Sequence, residues 1–395
     1  MKKEHHIKEY NSNESRRAFL KKIGISSVGI SLLGFGVLNT LNACKSDEDK
    51  KKIIRFLAIG TMTMENWTQL EKDLNLSITF ADSGNDVGPI IGSMLYGTAS
   101  TDYDVAGNQG GTERELAQAG KIIPWDLSKI QNWQETWGWI KDIESAKVNG
   151  KQYGLPVIAN ADSVIYNYKK IGKIVDSYDV IFDPKFKGRV AMEDAWMNSV
   201  IFTAIYLKGN DLHPINDPGD LTVEELEFVM EFLIKHKKDG QFKTFWNGWE
   251  TGVRLIKSEE VWAMTGWEPI VYEGQKSGLD IRYAEPKEGY EGWTNNLLLH
   301  AGVQDKNVVN EAHQFANWLM NGFYGNWMTK NRGYVVPNDT TLAFAKQSSE
   351  FDFEEQKKKI EHVKNKFSKG KVYWQNVRPT NYKLYEQWWS KLRNA

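Results

Sequence analysis

Hydrophobic and polar positions along this chain switch between a strand period and a helix period. Residues 53–59 form a run rich in β-branched and aromatic side chains and predict a strand. Residues 64–72 carry helical spacing, and residues 76–80 predict a second strand. Residues 103–106 predict a third, entering a glycine-bearing turn at 107–111. This alternation predicts an α/β domain with a mainly parallel sheet. In open sheets of that kind ligands sit beyond the carboxyl ends of strands, here the turns after Ile59, Phe80 and Ala106.

Two later helices are marked at their starts or along one face. Thr222 and Glu225 have capping-box spacing, and Leu226, Val229, Met230, Leu233 and Ile234 then recur at helical intervals until Gly240. Val308, Ala312, Phe315, Ala316 and Leu319 form a similar stripe ending near Gly322. Both stripes read as core faces. No internal repeat and no long Pro/Gly/Ser linker separates these segments, so two lobes would have to be joined through ordered strands.

The amino-terminal 44 residues follow a different pattern. Ser15-Arg16-Arg17-Ala18-Phe19-Leu20 matches a twin-arginine export signal, and the apolar stretch at 23–38 is below the roughly 20 residues that a membrane span needs. Leu41-Asn42-Ala43-Cys44 then resembles a bacterial lipobox, in which the cysteine is lipidated and becomes the first residue of the mature chain. Residues 1–43 are thus predicted to be a signal peptide and 44–52 a charged tether; an uncleaved anchor helix is the alternative. Either way the body of the protein is expected outside the cytoplasm, as a membrane-anchored lipoprotein. Cys44 is the only cysteine, so no intramolecular disulfide can form.

Past residue 43 the chain holds 43 Lys and Arg against 48 Asp and Glu, a formal charge of −5. That argues against nucleic acid as a partner and mildly favours a cationic one. Sixteen tryptophans are more than a core of this size requires, which fits a site that grips its ligand with rings. Motifs for chemistry are mostly missing. The seven histidines show no metal-ligand spacing, and there is no H-E-x-x-H, C-x-x-C, G-x-S-x-G or Walker sequence. Ser368-Lys369-Gly370-Lys371 matches S-x-x-K in a basic segment that reads as a loop. Glu193-Asp194 is a possible acid/base pair, although adjacent carboxylates are usually surface residues. No catalytic residue, metal or cofactor is assigned.

Several ordered segments resemble bacterial extracellular solute-binding proteins of the spermidine/putrescine-binding type. They include Gly150-Lys151-Gln152-Tyr153-Gly154-Leu155-Pro156, Phe182-Asp183-Pro184-Lys185-Phe186-Lys187-Gly188, Glu193-Asp194-Ala195 and Pro286-Lys287-Glu288-Gly289. Gly333-Tyr334-Val335-Val336-Pro337-Asn338, Trp374-Gln375-Asn376 and the ending from Tyr385 to Leu392 complete the set, which spans roughly residues 53–393. The resemblance implies a two-lobed periplasmic-binding-protein fold of type II with a hinge between the lobes. Such a monomer closes on a small solute and hands it to ABC permease subunits. Matching the segments places crossovers near 156–160, 293–295 and 333–336. One lobe is then 52–157 plus 295–334, and the other 158–294 plus 335–395.

Polyamine sites in this family hold ammonium groups with carboxylates and line the methylene chain with rings, which offset the lost hydration of a buried cation. By resemblance, Asp194 falls on a carboxylate position, Trp293 on a ring position, Tyr334 on an aromatic one and Gln375 on a polar one. Gln109 remains polar, and Trp267-Glu268 lies close to another family tryptophan. Departures are equally specific. Asn295 stands where the family has a carboxylate, Met197 where it has a glutamate, and the ring positions near Thr61, Met62 and Gly111 are not aromatic. The resemblance therefore implies a polyamine-uptake subunit. Asn295 and Met197 favour a different small amine or a neutral polar solute as the alternative. A sensor, or an enzyme using Glu193-Asp194, are the remaining readings.

Overall fold

The computed structural model describes residues 51–83 and 87–395. The signal peptide, Cys44 and most of the tether lie outside the described residues. Thirteen strands are present among those described. The first three are β1 (Ile53–Ala58), β2 (Ser77–Asp82) and β3 (Val105–Gln109), which pair in parallel around β1. Helix Thr68–Leu74 connects β1 to β2, starting later than the predicted residue 64 because Asn66 forms a turn in which Oδ1 accepts the Thr68 N–H at 3.3 Å. β3 runs past the predicted turn at Gly107: a side chain there would strike Met62 and Ala58, so this glycine is a packing residue inside the sheet. The turn begins at Gly110, and Gly111 takes the positive φ of 106°.

Short strands β4 (Ile122–Ile123), β5 (Lys147–Val148) and β6 (Lys151–Gln152) precede the long β7 (Gly154–Asn167). A second parallel group follows, made of β8 (Val190–Glu193), β9 (Phe242–Trp246) and β10 (Ala263–Gly266). β11 (Ile281–Tyr283) then pairs with β7, β12 (Tyr290–His300) is the second long strand, and β13 (Val372–Trp374) pairs with β12. The main path runs β2-β1-β3-β12-β7-β10-β8-β9. Two parallel half-sheets are thus joined by one antiparallel pair, β7 with β12. Its register runs from Glu291 opposite Asp162 to Leu298 opposite Gly154, with an irregularity after Asn295.

Both joining strands are buried along their whole length, polar residues such as Asn160, Asp162, Glu291 and Asn295 included, so neither shows the alternation of a half-exposed strand. Separate cores sit on the two half-sheets. One gathers Phe56, Trp67, Leu155, Leu297, Phe315 and Tyr324, the other Tyr166, Tyr178, Phe202, Met230, Tyr385 and Trp389. This is the two-lobed α/β plan, with the chain passing between lobes through strands and not through a linker.

Helix Val223–Lys238 forms as its sequence predicts. Thr222 Oγ1 accepts the Glu225 N–H at 3.2 Å, and Glu225 Oε2 accepts the Thr222 N–H at 2.8 Å. Helix Val309–Leu319 likewise buries the predicted stripe. Removing the reciprocal cap with Thr222→Ala should lower unfolding free energy by about 1 kcal/mol, measured by urea denaturation with an unchanged slope. No loss would mean that the cap does not hold this helix end.

Candidate functional site

The carboxyl ends of five parallel strands converge on one cavity of about 600 Å³. Thr61 follows β1, Gln109 ends β3, Glu193 ends β8, Asn247 follows β9 and Trp267 follows β10. Strands β7 and β12 contribute Asp162, Trp293 and Asn295 from the sheet between them. The cavity therefore lies where the sequence pattern of alternating strands and helices places a ligand, at the mouths of both half-sheets.

Its aromatic content is high. Trp293 packs edge-on against Tyr334 with centroids 5.5 Å apart, and Trp267 stands edge-on to the buried Trp246 at 5.2 Å. Trp196 and Trp389 line the same space. Ring faces of this kind attract cations and cover methylene chains.

The electrostatics centre on carboxylates that have left water. Asp162 is buried; its Oδ2 accepts the Trp293 indole N–H at 2.7 Å and its Oδ1 accepts the Tyr283 hydroxyl at 3.0 Å. Burial pushes this carboxyl up and nearby Lys366 pulls it down, leaving it at about 7. Glu193 is 6% exposed, and its Oε2 has no hydrogen-bond partner among the described residues. Burial, reinforced by the charge of Asp162, raises it to about 8. Behind them Glu291, opposite Asp162 in the strand register, is fully buried beside the Asn198 side chain, with no ion pair among the described residues. Burial and then the charges of Asp162 and Glu193 lift its carboxyl well above the usual range. Asp162 thus favours the neutral form of Glu193, and both favour the neutral form of Glu291.

The residues singled out by sequence divide into three groups. Asp194, Trp293, Asn295, Tyr334, Gln109 and Trp267 all line the cavity. Asp194, however, already has a cation: its Oδ1 accepts the Arg393 Nε–H at 2.9 Å and the Trp389 indole N–H at 3.0 Å. Glu268 lies outside the cavity lining. Its Oε2 meets Lys366 Nζ at 2.6 Å and its Oε1 meets His362 Nε2 at 2.8 Å. Burial pushes Glu268 up, but Lys366 and His362 more than offset it and hold the group at about 2. Gln375, just past β13, lines a separate cavity of about 670 Å³ with Asn376 and Arg378. Cys44 lies outside the described residues.

Sequence reasoning weighs Glu193 only as half of an acid/base pair and passes over Asp162 and Glu291. The sequence offers little signal for either, since β7 and β12 each carry several polar residues beside the charged one. No group of residues suited to holding a metal ion occurs among the described residues.

Comparison with known proteins agrees with this geometry. A family model described as bacterial extracellular solute-binding protein matches residues 69–356. Among solved structures, a putative spermidine/putrescine ABC transporter from Listeria monocytogenes superposes with a TM-score of 0.68 at 15% identity, covering 87% of this chain and 99% of that one. The TpPotD lipoprotein of Treponema pallidum gives 0.68 at 13% identity, covering 87% and 100%. The PBP MotA from A. tumefaciens B6, in complex with glucopine, gives 0.62 at 14% identity, covering 86% and 99%. At these identities the structures share the fold. No helix among the described residues is long and apolar enough to cross a membrane.

The raised carboxyl groups make stability depend on pH with a defined sign. Between the ordinary glutamate value of 4.5 and about 8, folded protein keeps a proton on Glu193 that the unfolded chain has released. Unfolding free energy therefore falls as pH rises through that window. Glu193→Gln removes the group, and the variant should exceed wild type by roughly 1–3 kcal/mol at pH 8.5 while matching it near pH 4, since each tenfold change in proton affinity is worth about 1.4 kcal/mol. Equal thermal melts at both pH values would show that Glu193 is not the titrating group.

Proposed function

The chain belongs to the bacterial extracellular solute-binding proteins, the solute-capturing subunits of ABC transporters, and on that premise we propose that its solute is an aliphatic amine of the polyamine class. The observation that carries this reading is the pair Glu193 and Asp162: buried carboxyl groups on the cavity lining, one of them with an unpartnered oxygen, surrounded by indole rings. A buried carboxyl without a cation stays protonated; an incoming ammonium replaces the proton and receives charge-assisted hydrogen bonds. Trp267, Trp293 and Tyr334 then cover the methylene chain.

This assignment moves the cation from Asp194, which the resemblance favours, to its neighbour Glu193. Asp194 with Arg393 instead supplies an ion pair at the cavity wall that ties β8 to the carboxyl-terminal helix Tyr382–Asn394. The lobes are divided as 52–157 with 295–334 and 158–294 with 335–395, closing about the strand crossovers. Export through residues 1–43 and lipidation of Cys44 would hold the subunit beside its permease. The reading is capture without turnover.

Isothermal titration of the protein with putrescine, spermidine and N-acetylputrescine tests it. At least one amine should release heat with micromolar or tighter affinity, and Glu193→Gln should weaken that binding at least tenfold, since a charge-assisted bond contributes roughly 1.5–3 kcal/mol. Affinity should also rise from pH 6 to pH 8.5 as the carboxyl groups lose their protons. Absence of heat with every amine would overturn the proposal.

A further inference from the structure

The cavity has two chemically different walls. Glu193 and Asp162 belong to β8 and β7, on either side of β10, and put the buried negative charge on one lobe. Facing them, Gln109 and Asn295 sit directly opposite each other across the β3–β12 pair, with Thr61 beside them. Asn295 Nδ2 donates to Thr61 Oγ1 at 2.6 Å, while Asn295 Oδ1 is buried and has no partner among the described residues. That wall offers amides and no charge.

On the cavity lining no further buried carboxylate is left for a second ammonium, since Glu291 lies behind the wall and does not line the space. Asp194 is neutralised by Arg393, whose guanidinium lines the same cavity and would repel a second cation. Glu268 is doubly paired and lies outside. Glu386 reaches the rim but is exposed, where an ion pair in water contributes little. A second ammonium placed against Asn295 and Gln109 would lose its hydration without meeting an anion.

Resting on the amine reading above, we propose that this protein selects monocationic amines: an ammonium seated on Glu193 and Asp162 at one end, and a neutral hydrogen-bonding group, an acylamide or hydroxyl, seated on Asn295 and Gln109 at the other. One ammonium has three N–H donors, enough to engage both carboxylates. A neutral amide N–H or hydroxyl supplies the donor that Asn295 Oδ1 lacks, and Gln109 offers both a donor and an acceptor to the same end. A mono-acylated diamine is the simplest molecule with this layout, and an amino alcohol of similar length shares it.

The test compares putrescine with N-acetylputrescine, which differ in the charge of one end. Isothermal titration at pH 8 should give the acetylated amine at least tenfold tighter binding. Asn295→Asp should narrow or reverse that ratio by at least tenfold, by adding a carboxylate to the neutral wall, and Gln109→Glu does the same if the first variant fails to fold. Ligand-free melts establish that each variant is folded. Putrescine binding as tightly as its acetylated form, with both lost in Glu193→Gln, would overturn the selection for one charge and leave the amine reading standing. No heat from either amine would overturn both.

Discussion

A carboxyl group taken out of water must keep its proton or find a cation, and this structure takes three of them out of water together. Asp162 and Glu291 face each other across the two strands that join the lobes, β7 and β12, and Glu193 stands at the end of β8 in the same lobe as Asp162. Burial raises all three; the charge of Asp162 raises Glu193 further, and the charges of Asp162 and Glu193 raise Glu291 further. The resulting site is poised: neutral without a cation, anionic when one arrives. Replacing the three with well-packed apolar residues would stabilise the fold and destroy that response.

Lys366 sets the limit of this poise. Its ammonium reaches from helix Phe353–Lys369 to the Ala161 carbonyl at 3.0 Å and to Glu268 Oε2 at 2.6 Å, over the ring of Tyr283. By balancing Glu268 and drawing Asp162 down towards neutrality, it leaves Glu193 and Glu291 as the groups that no fixed cation serves among the described residues. The same contact braces the turn that carries Trp267, so one ion pair outside the cavity both tunes a carboxylate and positions a ring on its wall. Breaking such a buried pair strands the remaining charge, which is the more damaging of the two consequences.

Much of this is legible in the amino-acid sequence. Strand–helix alternation in residues 53–106 places a ligand beyond strand ends, and Gln109, Trp267, Trp293, Asn295 and Tyr334 do line that space. Capping residues Thr222 and Glu225 specify their helix start locally, so sequence suffices for them. Glu193 escapes because adjacency to Asp194 suggests a solvated surface. It ends a buried parallel strand instead, so the pair has one carboxylate in the cavity without a cation and the other held by Arg393. Asp162 and Glu291 escape because their partners lie more than 100 residues away, and strand register is a tertiary property. Glu268 lies behind the wall that its neighbour Trp267 forms, and Gln375 lines a separate cavity with Trp374 and Asn376.

Distributing charge on one lobe and amides on the other has a consequence for closure. A ligand shifts an opening equilibrium only by the difference between its affinities for the two states. A solute that satisfied Glu193 and Asp162 alone would bind the open and closed forms almost equally and leave the equilibrium where it was. For the solute proposed above, contacts to Asn295 and Gln109 would be added as the lobes approach, so its neutral end would supply the differential term. Moving such an equilibrium from 1:99 to 99:1 takes about 5.5 kcal/mol, more than one neutral hydrogen bond contributes. The ring contacts from Tyr334 on one side and Trp267 on the other, with Trp293 at the crossover between them, would provide the remainder. On the proposed reading, charge would decide which solute is retained, and the rings and amides would decide whether the protein closes around it.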